Sequence, residues 1–157
     1  SLGAALLLEV ASMPTYRHTL TAVVADSGFS SYRRIARDAL SSSWLLLPLQ
    51  YPLSWLVTAR HNPEDAVRHF APLPLLVAHS PDDTLVPYAH GVRIYDAAQT
   101  EKCFLKTSGP HNAALGPRSP NGVQYREAIV EFFAVAARSS GAAFDCPAPT
   151  FDQPADQ

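Results

Sequence analysis

Apolar side chains crowd the start of the chain: Leu2, Ala4, Ala5, Leu6, Leu7, Leu8, Val10 and Ala11 leave only Gly3, Glu9 and Ser12 between them. The run is rich in strong helix formers and is stopped by Pro14, so it predicts a buried helix over residues 2–12. Three shorter runs read as strands. Residues 20–25 are apolar and β-branched and end at Asp26, which suits a strand covered on both faces. Residues 73–78 form a second such run, bounded by prolines before it and by Ser80-Pro81-Asp82-Asp83 after it. Residues 102–106 are more polar, as an outer strand would be.

Helical periods fill the gaps between these strands. Tyr88, Val92 and Tyr95 recur at i, i+4 and i+7; Tyr125, Ile129, Phe132, Phe133 and Ala136 continue that spacing after the third strand. Asn121 followed by Gln124 resembles a capping box that opens the last helix. Strands alternating with helices predict an α/β fold with a parallel sheet and right-handed crossovers.

Residues 27–70 break the alternation. Residues 31–39 read as a helix with a basic face of Arg33, Arg34 and Arg37. The segment from Trp44 to Val57 is strongly apolar but interrupted by Pro48 and Pro52, too short and too broken to cross a membrane. Its position suggests a cap inserted over the sheet edge. It serves equally as packing onto the core or as a lid that meets substrate through Trp44, Tyr51 and Trp55, and it is the surface expected to touch a membrane or lipid. The domain is expected to span residues 1–139, with 140–157 a disordered, proline-rich tail.

Composition narrows the function classes. The 157 residues are 47% hydrophobic with a net charge of −2, which provides for one core and gives no basic footprint for nucleic acid. Cys103 and Cys146 are too few for a disulfide framework and lack metal-ligand spacing, so they are expected to be two unpaired thiols. That usage makes the cytoplasm the default compartment. No cofactor loop or metal cluster is present in the sequence, and no feature sets an oligomeric state. The only methionine is Met13 and the chain opens at a helix start, so it is expected to be a fragment without an amino-terminal part that held any anchor or signal.

Candidate chemistry begins at the first residue. Ser1-Leu2-Gly3 runs straight into the apolar helix, as the second half of a Gly-x-Ser-x-Gly nucleophile elbow would; small residues flank such a serine because the turn is sharp. Asp83 follows the second strand, where sites on open α/β sheets are built, and an acid there can orient an imidazole. Its neighbour Asp82 competes for that role. His111, in Thr107-Ser108-Gly109-Pro110-His111-Asn112, follows the third strand and has the chemistry of a general base near neutrality. His18, His61, His69 and His90 lack that setting, and His79 reads as a packed, hydrogen-bonded side chain. The order serine, aspartate, histidine distinguishes one class of triad from other serine hydrolases.

On these residues, together with Ala25-Asp26-Ser27-Gly28-Phe29-Ser30-Ser31, Asp83-Thr84-Leu85-Val86-Pro87 and His90-Gly91, the chain resembles the C-terminal half of an α/β-hydrolase. It is similar to bacterial esterase and lysophospholipase-like members, over residues 1–137. The resemblance implies a partial parallel sheet with flanking helices and a helical cap insertion. It implies Ser1 as nucleophile, Asp83, favoured over Asp82 by the Asp-x-x-Val-Pro spacing, as acid, His111 as base, and the Leu2 backbone N–H as an oxyanion donor. Ser80 and Pro110 stand where such relatives have glycine. The implied reaction is hydrolysis of a carboxylic ester or thioester, with small lipophilic acyl substrates favoured, no cofactor, and no activity in a fragment by itself. A peptidase or amidase on the same scaffold, or a non-catalytic interaction module, are the alternatives.

Overall fold

The computed structural model describes residues 1–41, 44–58, 61–138 and 144–147. In chain order the elements are α1 (Leu2–Ser12), a single helical turn α2 (Pro14–Arg17), β1 (Val23–Asp26), α3 (Tyr32–Ser41), a 3-10 turn at Leu47–Leu49 and α4 (Gln50–Trp55). They continue with the short α5 (Pro63–Ala66), a 3-10 turn at Val67–His69, β2 (Leu75–His79), α6 (Ala89–Ala97), β3 (Lys102–Lys106) and α7 (Gly122–Arg138). The three strands form one parallel sheet in the order β1-β2-β3, with Asp26 opposite Ala78 and His79 opposite Lys106. All three strands therefore end at one edge, and the loops that follow them converge there.

Alternation along β2 builds three layers. Leu75 and Val77 face Leu8 and Ala11 of α1, Ile94 of α6, and Val67 and Phe70. Leu76 and Ala78 face the other way, with Cys103 and Leu105 of β3, onto Tyr125, Ala128 and Phe132 of α7. Every residue of β2 is buried, which is why this strand reads as a continuous apolar run. Burying side chains of this size contributes about 1.5–3 kcal/mol each.

Three expectations are corrected. The 2–12 helix is present, but only its Ala5, Leu8 and Ala11 face is buried; Leu2, Leu6, Leu7 and Val10 lie on an exposed face. A run that is apolar all round carries no period from which the buried face can be read. The capping box is not formed, since Gln124 Oε1 is buried without a hydrogen-bond partner among the described residues. The two cysteines are joined in a disulfide, Cys103 to Cys146, rather than free. Phe144 packs edge-on against Phe132 of α7, and this return of the chain brings Cys146 to the edge strand. Forty-three positions separate the pair, a distance that spacing along a sequence does not reveal. The rest of the expected tail lies outside the described residues.

Candidate active site at the sheet edge

Asp83 sits in the turn after β2, where its backbone N–H donates to the Ser80 carbonyl. Its side chain is fully buried and its two oxygens take three donors. Oδ1 accepts the backbone N–H groups of Leu85 at 2.9 Å and Val86 at 2.8 Å; Oδ2 lies 2.7 Å from His111 Nδ1. Burial acts to raise the carboxyl pKa. The bonds from Val86, His111 and Leu85 outweigh it, and the group is held below its ordinary value. An ionised carboxylate can only accept, so His111 Nδ1 is the donor of this bond.

Asp82, the rival, does something different. Its backbone N–H donates to Ser80 Oγ, and its Oδ2 accepts the Gly109 N–H at 2.9 Å. Asp82 therefore ties the β2 loop to the loop that carries the histidine, while Asp83 meets the imidazole itself. Gly109 adopts φ +95°, a left-handed conformation open to glycine, and Asn112 follows at +59°. Pro110 at the position between the glycine and the histidine is accommodated, its carbonyl accepting the Ala113 N–H at 3.0 Å. A cavity of about 620 Å³ opens beside this loop, walled by Ser108, Pro110, Ala113, Pro117, Arg118 and Pro120.

Ser1 is the N-cap residue of α1, and its carbonyl accepts the Ala5 N–H at 3.1 Å. Leu2 is the first residue of α1, and its N–H belongs to the first-turn donors that have no partner within a helix. Among the described residues Ser1 Oγ makes no hydrogen bond to His111. The structure thus brings Asp83 and His111 together and leaves the serine leg open. Gly28, in the loop after β1, lies under Ala4 of α1 so closely that a Cβ there would stand 3.2 Å from the alanine methyl.

Two further polar groups, Asp26 and His79, stand near this edge. Asp26 ends β1, half-buried, and accepts Ser27 Oγ–H at 3.1 Å. Burial pushes its carboxyl pKa up, against the Ser27 bond and the charges of the Ser1 amine, His79 and His111. Ser27 adopts φ +50° while its N–H donates to the Ala78 carbonyl, so the backbone is strained where the carboxylate is displayed. The signal available was a lone carboxylate closing an apolar strand. His79 is buried and its Nε2 donates to the Val86 carbonyl at 2.9 Å, in the packed role expected, with Asp83 Oδ2 3.7 Å away. Gly91 lets α6 cross that ring: a Cβ at this position would meet His79 Nδ1 at 2.6 Å.

His90 has a setting the sequence did not disclose. Its Nδ1 lies 3.0 Å from both the backbone N and the Oγ of Ser30, and its Nε2 is 2.7 Å from Asp38 Oδ2. A backbone N–H can only donate, so Nδ1 is the bare nitrogen and Nε2–H donates to Asp38. Burial lowers the imidazole pKa, against the pull of Asp38 and with the push of Arg93 and His79. This clasp joins α6 of the body to α3 of the insertion.

The ends of the insertion pack on the body, Phe29, Tyr32 and Ile35 against Ala5 and Val86, and Val67 and Phe70 in the core, whereas its middle stands out. Trp44 is 85% and Trp55 71% exposed, and Tyr51 is also exposed. Packing of these rings onto the core is thereby ruled out. The Tyr51 ring lies under the Arg37 guanidinium, 4.9 Å from its centroid. Among the described residues no group of three or more His, Cys, Asp or Glu side chains is placed to hold a metal ion. No described helix is long and apolar enough to cross a membrane.

No family model matches the sequence. The chain is 32% identical over 133 residues to the uncharacterized protein YfhR of Escherichia coli, a match that covers 84% of this chain and 42% of that protein. The chain thus spans less than half the length of this curated relative. Among solved structures it is similar to the acylaminoacyl peptidase of Pyrococcus horikoshii, with a TM-score of 0.64 at 18% identity over 91% of this chain and 24% of that one. It is also similar to acetyl xylan esterase 1 of Thermoanaerobacterium, with a TM-score of 0.59 at 16% identity over 87% of this chain and 43% of the esterase. The parallel sheet, its two helical layers and these likenesses make the fold of this chain that of the α/β-hydrolases.

Proposed function

We propose that the protein is a serine hydrolase that cleaves carboxylic esters or thioesters through an acyl-enzyme. The observation that carries this reading is the 2.7 Å bond between His111 Nδ1 and a buried Asp83 whose other oxygen is locked by two backbone N–H groups. A carboxylate fixed in this way orients the ring and stabilises the imidazolium, leaving Nε2 as the proton acceptor. In the proposed reaction Ser1 Oγ attacks the acyl carbon as its proton passes to His111 Nε2. The tetrahedral oxyanion is met by the Leu2 N–H. Collapse breaks the bond to the alcohol or thiol, which leaves with the proton from His111; water then repeats the sequence and releases the acid.

The chemistry is tested by labelling the full-length protein with a fluorophosphonate. The wild type is expected to label and Ser1→Ala is not; equal labelling of the two overturns the assignment of Ser1 and points to another nucleophile, and no labelling in either favours a non-catalytic module. The likeness to an acylaminoacyl peptidase supports a second reading, hydrolysis of amides on the same scaffold. Comparing turnover of medium-chain p-nitrophenyl esters with aminoacyl p-nitroanilides separates the two. Esters are expected to be faster, since the Trp44–Val57 segment offers apolar surface without a charged side chain.

A further inference from the structure

The Trp44–Val57 segment contains no charged side chain, and both tryptophans of the chain lie in it. Its apolar groups face outward: Trp44 is 85%, Leu45 66%, Trp55 71% and Leu56 83% exposed. Such a concentration on one short, proline-broken stretch is an apolar surface without a cover.

Its border is cationic. Arg33 and Arg37 are one helical turn apart on α3 and both reach the segment: Arg33 Nη2 donates to the Val57 carbonyl at 3.5 Å, and the Arg37 guanidinium lies over the Tyr51 ring. Neither has a carboxylate partner among the described residues. The acids nearby are already engaged elsewhere, Glu64 by Arg34 and Asp38 by His90. The occupant that complements this surface is therefore apolar at its centre and negative at its rim. A two-fold contact through this patch would bring two copies of its cationic border into one interface, whereas an anionic surface neutralises that border. Indole rings favour the boundary between water and lipid, where one edge is apolar and the N–H stays wet, and arginines beside them meet anionic headgroups.

We propose that the Trp44–Val57 segment, rimmed by Arg33 and Arg37, docks on an anionic lipid surface. The docking does not depend on the hydrolase reading, and its test does not use turnover. Because the two tryptophans of this chain are both in the patch, its intrinsic fluorescence reports on the patch alone. Titration with phosphatidylcholine vesicles containing phosphatidylglycerol is expected to shift the emission to the blue. Lipids brominated in the acyl chain are expected to quench it, and rising salt to reverse both effects. Replacing Arg33 and Arg37 with glutamine is expected to weaken partitioning about 30-fold, on the order of five-fold for each charge. Trp44→Ser with Trp55→Ser is expected to abolish co-sedimentation with the vesicles while leaving the circular dichroism unchanged, since both rings are in solvent. An unshifted spectrum, equal binding to vesicles of phosphatidylcholine alone, or self-association that the double serine variant dissolves would each overturn the proposal, as would saturable binding to an acidic protein with none to lipid.

Discussion

The loops at the sheet edge and the inserted segment treat their polar and apolar groups in opposite ways. At the edge, one buried carboxylate satisfies three donors, and a second carboxylate pins the neighbouring loop through a backbone N–H. In the insertion, indoles and leucines stand in water with arginines beside them. Fixed hydrogen bonds set an imidazole to within a few tenths of an ångström, which is what proton transfer requires. An uncovered apolar surface orients nothing by itself and gains free energy only when something covers it. One region fixes its polar groups in place, and the other leaves its apolar groups uncovered.

The widest way to break that comparison is at the two adjacent aspartates. Asp83→Asn leaves the shape intact but offers His111 Nδ1 a side chain that can donate, which favours the wrong tautomer. Turnover is expected to fall about ten-thousandfold. Asp82→Asn keeps an acceptor for the Gly109 N–H and is expected to cost less than about tenfold, with the loss in KM as well as kcat, because only the loop tie is touched. Steady-state kinetics on the same ester for both variants decide the matter. If Asp82→Asn is the worse of the two, the residue facing the imidazole has been misassigned.

That pair also marks where the sequence was legible and where it was not. The presence of three strands, their parallel pairing and the loops bearing Asp83 and His111 follow from apolar runs and their breakers, because β2 is buried on both faces and reads as one block; β1 begins at Val23 and β2 at Leu75, later than the apolar runs themselves. The Asp82 tie to Gly109 spans 27 positions and depends on the left-handed turn at that glycine, which spacing does not specify. The disulfide was missed for a related reason: Phe144 must first pack on Phe132 before Cys146 can reach β3. The exposed face of α1 was missed because a uniformly apolar helix has no period. His90 was set aside as a histidine without a setting, yet its partners Ser30 and Asp38 lie 60 and 52 positions away.

The two regions meet at His90, and a smaller effect is expected there. His90→Phe keeps a planar ring, slightly larger, but leaves the buried Ser30 N–H without an acceptor, which typically costs about 1–3 kcal/mol. Urea unfolding measures that cost, and limited proteolysis should cut the insertion sooner than the body. Gly91→Ala is expected to cost a similar amount, about 1–3 kcal/mol, by driving a methyl into the His79 ring. The pH dependence is more diagnostic. The folded pKa of His90 lies below the ordinary 6.5, so its contribution to stability is present above pH 6.5 and is lost as pH falls below it. The wild type should lose stability over that window, and His90→Phe should lose less. An unchanged slope would mean that the clasp does not join the insertion to the body as a neutral imidazole.

The smallest effect is expected at Asp26, where the edge departs from its own rule of fully partnered carboxylates. Asp26 and Asp83 stand a strand apart and are shifted in opposite directions. Asp83 is held below the ordinary 3.8, so it adds stability above that pH, lost as pH falls through its folded value. Asp26 is held above 3.8 by burial, so the folded protein binds its proton more tightly than the unfolded chain does. Its contribution is present below pH 3.8 and is lost as pH rises through the folded value, leaving a poorly solvated carboxylate at neutrality. Asp26→Asn keeps an oxygen for the Ser27 hydroxyl and removes that charge. Its Tm is therefore expected to exceed that of the wild type at pH 7 and to converge with it near pH 3, measured by calorimetry across the range. A Tm lowered at pH 7 would show that the ionised carboxylate is held by a donor strong enough to outweigh burial, and would place Asp26 with Asp83 among the edge's fixed anions.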